Sequence, residues 1–88
     1  MKNGIVVRSE IFREDDLYVA ICPDLDVSSY GGTENEARIS LREAVEAFIE
    51  ECEKMGTLEE VLEEAGFTRS AHQWLPRQPI LAELVAVG

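Results

Sequence analysis

Two pairs of aspartates, Asp15–Asp16 and Asp24–Asp26, are the residues of this chain best equipped for chemistry. Carboxylates that converge on two divalent cations can drive hydrolysis of a phosphodiester. These pairs sit in Glu14-Asp15-Asp16 and Pro23-Asp24-Leu25-Asp26, and both stretches read as turns. Aspartate favours turns for conformational reasons, because its short side chain bonds to nearby backbone and tolerates left-handed geometry. A rigid metal site prefers carboxylates planted inside strands. Ser28, Ser29 and His72 show no nucleophile motif. Cys22, Cys52 and the single His72 have no metal-ligand spacing. The chain is therefore read as a non-enzyme, with no catalytic residue, no metal and no cofactor.

The same acids fit binding better than catalysis. The net charge is −10 over 88 residues. That charge repels phosphates, so nucleic acid and anionic membrane surfaces are disfavoured partners and a basic partner is favoured. Acidity also keeps a small protein soluble without any binding role. Cys22 and Cys52 read as small buried hydrophobes in a reducing compartment. The start, Met1-Lys2-Asn3-Gly4-Ile5, carries no signal peptide, and no apolar run is long enough to span a bilayer. The expected location is the cytoplasm.

The elements that must position these residues follow from periodicity. Ile5 to Phe12 reads as a strand with Ile5, Val7 and Ile11 on one face. Leu17 to Cys22 reads as a second strand with Leu17, Val19 and Ile21 on one side, joined to the first as an antiparallel hairpin. Pro23 stops it, since proline cannot donate to a ladder. Val27 to Gly31 reads as a short third strand ending at Gly31-Gly32. Thr33 and Glu36 then form a capping box. Ala37, Leu41, Ala44, Val45, Phe48, Ile49 and Cys52 recur at helical spacing as one apolar stripe, and Gly56 caps the helix. Glu43, Glu46, Glu50, Glu51 and Glu53 belong to its solvated face. Thr57 to Glu60 repeats the capping pattern, and Leu58, Val61, Leu62 and Ala65 predict a short second helix closed by Gly66. Phe67 to Pro79 reads as loop, with Trp74 as a packing anchor.

Ile80 to Val87 reads as a last strand, apolar on both faces except at Glu83. The predicted order is strand, strand, strand, helix, short helix, strand, in one domain covering residues 1–88. The helix would cross over and return the last strand beside the first and parallel to it. The expected fold class is α+β: a two-layer β-β-β-α-(α)-β domain with one long helix packed on the sheet.

Tyr18-Val19-Ala20-Ile21-Cys22-Pro23-Asp24-Leu25, followed by Gly32-Thr33-Glu34-Asn35-Glu36-Ala37 and then Glu43-Ala44, resembles the N-terminal domain of HicB-type antitoxins. That family has an aromatic-rich strand ending in Pro-Asp-Leu-Pro-Gly and a Gly-x-Thr-x-x-Glu-Ala helix start. Here Asp26-Val27 replaces the Pro-Gly. The resemblance covers roughly the first half of the chain by motif and the rest by element order. It implies a partial ribonuclease-H-like sheet. It also implies an antitoxin whose partner is a small basic HicA-type ribonuclease. Many members continue into a DNA-binding domain. This sequence ends at Gly88, so no such domain is expected within it.

A ribonuclease presents a basic surface to phosphates, and an acidic inhibitor can dock there. The candidate partner-binding residues are Glu14, Asp15, Asp16, Asp24 and Asp26. Two other readings stand beside this one: a standalone oligomeric module of structural or regulatory use, and a metal-dependent nuclease. The doubly apolar closing strand also predicts a homo-oligomer, a dimer or tetramer, because one helix cannot cover both of its faces. Leu81, Leu84, Val85 and Val87 are the candidate interface residues.

Overall fold

A computed structural model describes residues 4–88. Of the stretch Met1–Ile5, which reads as carrying no signal peptide, residues 1–3 lie outside the described residues. Among the described residues the chain is mixed α+β, with two small sheets and two helices. Strands β1 (Gly4–Ile5), β2 (Glu10–Glu14), β3 (Leu17–Cys22) and β4 (Val27–Gly31) come first. Helices α1 (Glu34–Met55) and α2 (Leu58–Glu64) follow, then β5 (Thr68–Ser70) and β6 (Gln73–Leu75). One sheet has the order β2-β3-β4, all antiparallel; the other has the order β1-β6-β5.

The predicted first strand is split. Gly4–Ile5 pairs parallel with β6, whereas Glu10–Glu14 pairs antiparallel with β3, and residues 6–9 belong to neither ladder. The β2–β3 ladder begins at Glu10↔Ile21. Pro23 would oppose residue 8, and a proline cannot donate there. Ile5, Val7 and Ile11 nonetheless share the core side, as their spacing predicts.

The face of β3 that meets the core differs from expectation. Ala20 and Cys22 are fully buried and Tyr18 packs against them, while Leu17 is exposed and Val19 and Ile21 are half-buried. Both alternating sets of this strand are apolar, so periodicity alone leaves its inward face undetermined. Register places Phe12, Val19 and Tyr30 side by side on the outer face.

The α1 helix buries the expected stripe: Ala37, Leu41, Val45 and Cys52 are buried, and Ala44, Phe48 and Ile49 are half-buried. Thr33 is its N-cap, and its Oγ1 accepts from the Glu36 N–H at 3.0 Å. The Glu36 carboxylate reaches back one residue further than a capping box requires, accepting from the Gly32 N–H at 2.9 Å. Gly31 is needed for a close approach: a Cβ there would lie 2.6 Å from the Ala37 nitrogen. Gly56 ends the helix in the left-handed region at φ 72°.

At α2 the capping pattern fails. Thr57 makes no side-chain cap, and its hydroxyl instead donates to the Cys52 carbonyl at 3.4 Å. Leu62, Phe67 and Trp74 are buried in the same core as Leu41 and Val45. Trp74 is thus the packing anchor its size suggests, with the Arg69 guanidinium 5.5 Å from its ring centroid.

Two further corrections concern the end of the chain. Thr68–Ser70 and Gln73–Leu75 form a hairpin inside the stretch read as loop, turned by Ala71 at φ 55°. Ile80–Val87 is not a strand. It has no regular structure and lies outside both sheets, with Ile80 at 105 % and Leu84 at 103 % exposure. The strand that returns parallel beside the first is therefore β6, bonded through the Gly4 N–H to His72 O and the Val6 N–H to Trp74 O. Three-residue strands are too short for a period-2 signal. Pro76 and Pro79 separate the apolar tail from the sheet it was expected to join.

Candidate functional site

The five candidate acids do not form one site. The β2–β3 connection puts Glu14, Asp15 and Asp16 at one end of the sheet, because Glu14 pairs with Leu17 and leaves a two-residue loop. The β3–β4 connection puts Asp24 and Asp26 at the other end, since Cys22 pairs with Val27. The six residues of β3 separate the ends by roughly 20 Å.

Two of the five serve turn geometry. Asp15 and Asp26 sit in the left-handed region at φ 55° and 57°, where aspartate is among the few tolerant side chains. A third is consumed by structure. Asp24 accepts from Arg8 Nη1 at 3.1 Å, and its side chain is only 6 % exposed. Arg8 Nη2 also donates to the Arg77 carbonyl at 3.0 Å and to Gln78 Oε1 at 3.4 Å. One guanidinium therefore ties the β1–β2 link, the β3–β4 turn and the chain beyond β6 together. Sequence reading overlooked Arg8; a lone cation between the apolar Ile5–Val7 and Ile11–Phe12 was the available sign.

The hairpin end keeps its charge free. Glu14, Asp15 and Asp16 are exposed, and none forms an ion pair among the described residues. The start of α1 lies at the same end, because Gly31 pairs with Tyr18, and it adds the exposed Glu34. The Arg13 guanidinium, the nearest cation in sequence, donates to the Asp15 backbone carbonyl.

Among the described residues, no three His, Cys, Asp or Glu side chains gather to hold a metal ion. Cys22 and Cys52 are free thiols and buried. Burial pushes the Cys22 thiol above its ordinary value, and the Asp24 charge adds to the rise; backbone hydrogen bonds at residues 24 and 25 and the Arg8 charge oppose it. His72 is exposed in the β5–β6 turn. Among the described residues, no helix is long and apolar enough to cross a membrane.

A groove of about 630 Å³ runs between β1 and the side of α1. Its floor is Ile5, Val7, Leu41, Val45 and Ile49. Nothing in the sequence marks it, because its two walls come from segments far apart in the chain, Ile5 to Ser9 and Arg38 to Glu53.

Comparisons of the chain with protein-family models, with curated proteins and with solved structures return no match.

Proposed function

We propose that this chain is a HicB-like antitoxin module that binds a small basic HicA-type ribonuclease and neutralises it. The observation that carries the reading is the free acidic hairpin end, Glu14-Asp15-Asp16 with Glu34, on a chain of net charge −10. Exposed carboxylates that form no ion pair retain much of their field, which raises the encounter rate with a basic protein. The two stretches that resemble the family support it further. They fall on the strand β3 with its turn and on the capped start of α1. The element order supports a partial ribonuclease-H-like arrangement in part: β2, β3 and β4 run antiparallel and a helix follows, while the late strand β6 lies parallel to β1 in a sheet of its own with β5. The proposed setting is the cytoplasm, in keeping with two free thiols.

The docking role falls to Glu14, Asp15 and Asp16, with Asp26 at a second, separate end. Asp24 contributes through Arg8 to holding its turn. The test is stopped-flow association with a HicA-type ribonuclease co-purified from the native host, together with an RNA-cleavage assay. Wild type is expected to block cleavage at equimolar ratio. Glu14→Gln with Asp16→Asn should slow association about tenfold at low salt and flatten its salt dependence. Unhindered cleavage in the presence of excess wild-type chain overturns the reading.

A further inference from the structure

The groove between β1 and α1 and the unpaired tail 80–87 match each other in chemistry, length and charge. The floor is aliphatic throughout, with Ile5, Val7, Leu41, Val45 and Ile49. The tail, Ile80-Leu81-Ala82-Glu83-Leu84-Val85-Ala86-Val87, is aliphatic except for Glu83. Its large side chains stand in solvent, so an apolar segment is left with nothing to bury it. Along α1 the groove runs from Arg38 to Glu53, about 22 Å at the helical rise. That length takes roughly seven extended residues.

Charge sets the direction. Arg38 and Arg42 line one end of the groove, Glu46 follows them, and Glu50 and Glu53 line the other end. Arg42 also meets Glu46 at 3.6 Å, but both side chains are well exposed and free to re-pair. The lone carboxylate of the tail belongs at the arginine end, and the acidic end repels it.

We propose that the tail of a second copy of this chain lies in the groove, with Glu83 between Arg38 and Arg42, so that two copies exchange tails in a symmetric dimer. The occupant is a second copy because within its own subunit the tail does not enter the groove: Ile80, Leu84 and Val87 stand fully in solvent. Two reciprocal contacts of this kind close a two-fold assembly. The proposal does not depend on the ribonuclease partner. Self-association is measured on the purified chain alone, so its failure and the failure of the antitoxin reading are separate results.

The experiment is sedimentation equilibrium of the full chain at 150 mM salt. Wild type is expected to be dimeric at micromolar concentration. Glu83→Arg alone, and Arg38→Glu with Arg42→Glu alone, should each weaken the dimer at least tenfold, and all three positions are exposed, so folding is kept. Mixing those two variants should restore a dimer, because each tail then meets a groove of opposite charge. Leu84→Asp with Val85→Asp should leave a folded monomer. A monomeric wild type overturns the proposal, as do charge variants that dimerise like wild type. A mixture that stays monomeric while the triple variant in one chain becomes more compact places the tail in its own groove and also overturns it. Loss of the dimer on Leu17→Lys with Tyr30→Lys alone assigns the contact to the outer sheet face instead.

Discussion

Two side chains, Thr33 and Arg8, satisfy groups that would otherwise be left bare. Thr33 covers one of the orphan amides at the start of α1, so Thr33→Ala should cost about 0.5–2 kcal/mol, read as a shift in urea midpoint at constant slope. Arg8 neutralises a carboxylate that is nearly out of water. Replacing it by Met strands Asp24 and frees the Arg77 carbonyl, and should cost about 1–3 kcal/mol. The Arg8 side chain is itself 31 % exposed, which holds the figure below that of a fully buried pair. Asp24→Asn should cost less than Arg8→Met, since an amide oxygen still accepts from the guanidinium. Cys22 carries a pH signature. Its thiol holds its proton more tightly in the folded chain than the ordinary value of 9.0, so the folded state loses stability as pH rises above about 9. Cys22→Ala should flatten that fall in thermal melts between pH 8 and pH 10.5, and native Cys22 should resist thiol reagents at pH 8.

At the scale of elements, the turn from β4 into α1 is the most constrained joint. A Cβ on residue 31 would press into the backbone of the first helical turn, at 2.6 Å from one nitrogen and 2.8 Å from a carbonyl carbon. Gly31→Ala should therefore destabilise the chain by more than Gly32→Ala. At Gly32 the nearest atom is the mobile Glu36 Oε1 at 3.2 Å. Paired urea titrations decide the order, and equal effects would mean that the joint yields. The α2 helix contrasts with α1. It lacks a side-chain cap and is held by Leu62 in the core, so tertiary burial replaces local signals there.

For the whole molecule, charge and apolar exposure pull in different directions. The surplus of carboxylates repels nucleic acid, and the purified chain should leave duplex DNA unshifted in a gel at physiological salt. A sequence-specific shift would contradict that. The same acidity leaves the hairpin end open to a basic protein. Meanwhile Ile80, Leu81, Leu84, Val85 and Val87 stand in water on the tail, and Phe12, Leu17 and Tyr30 on the outer sheet face. An 88-residue chain buries a smaller share of its surface than a larger one, so a second chain can add stability that the single copy lacks.

The amino-acid order by itself determined what is written within a few residues. It determined the stripe and both ends of α1, the hairpin at Asp15–Asp16, the stop at Pro23, and the burial of Trp74 and the two thiols. Each depends on local backbone preference or on a single clear periodicity. Tertiary structure decided what depends on partners far along the chain. The inward face of β3 was settled by α1, since both of its faces are apolar. The parallel strand was settled by pairing of residues 4–5 with 73–74, which a three-residue segment cannot announce. The apolar tail read as a strand because its composition suits one, yet the place expected for it, parallel and beside the first strand, is taken by β6. Asp24 looked like its neighbours in sequence and was set apart only by Arg8, sixteen residues away.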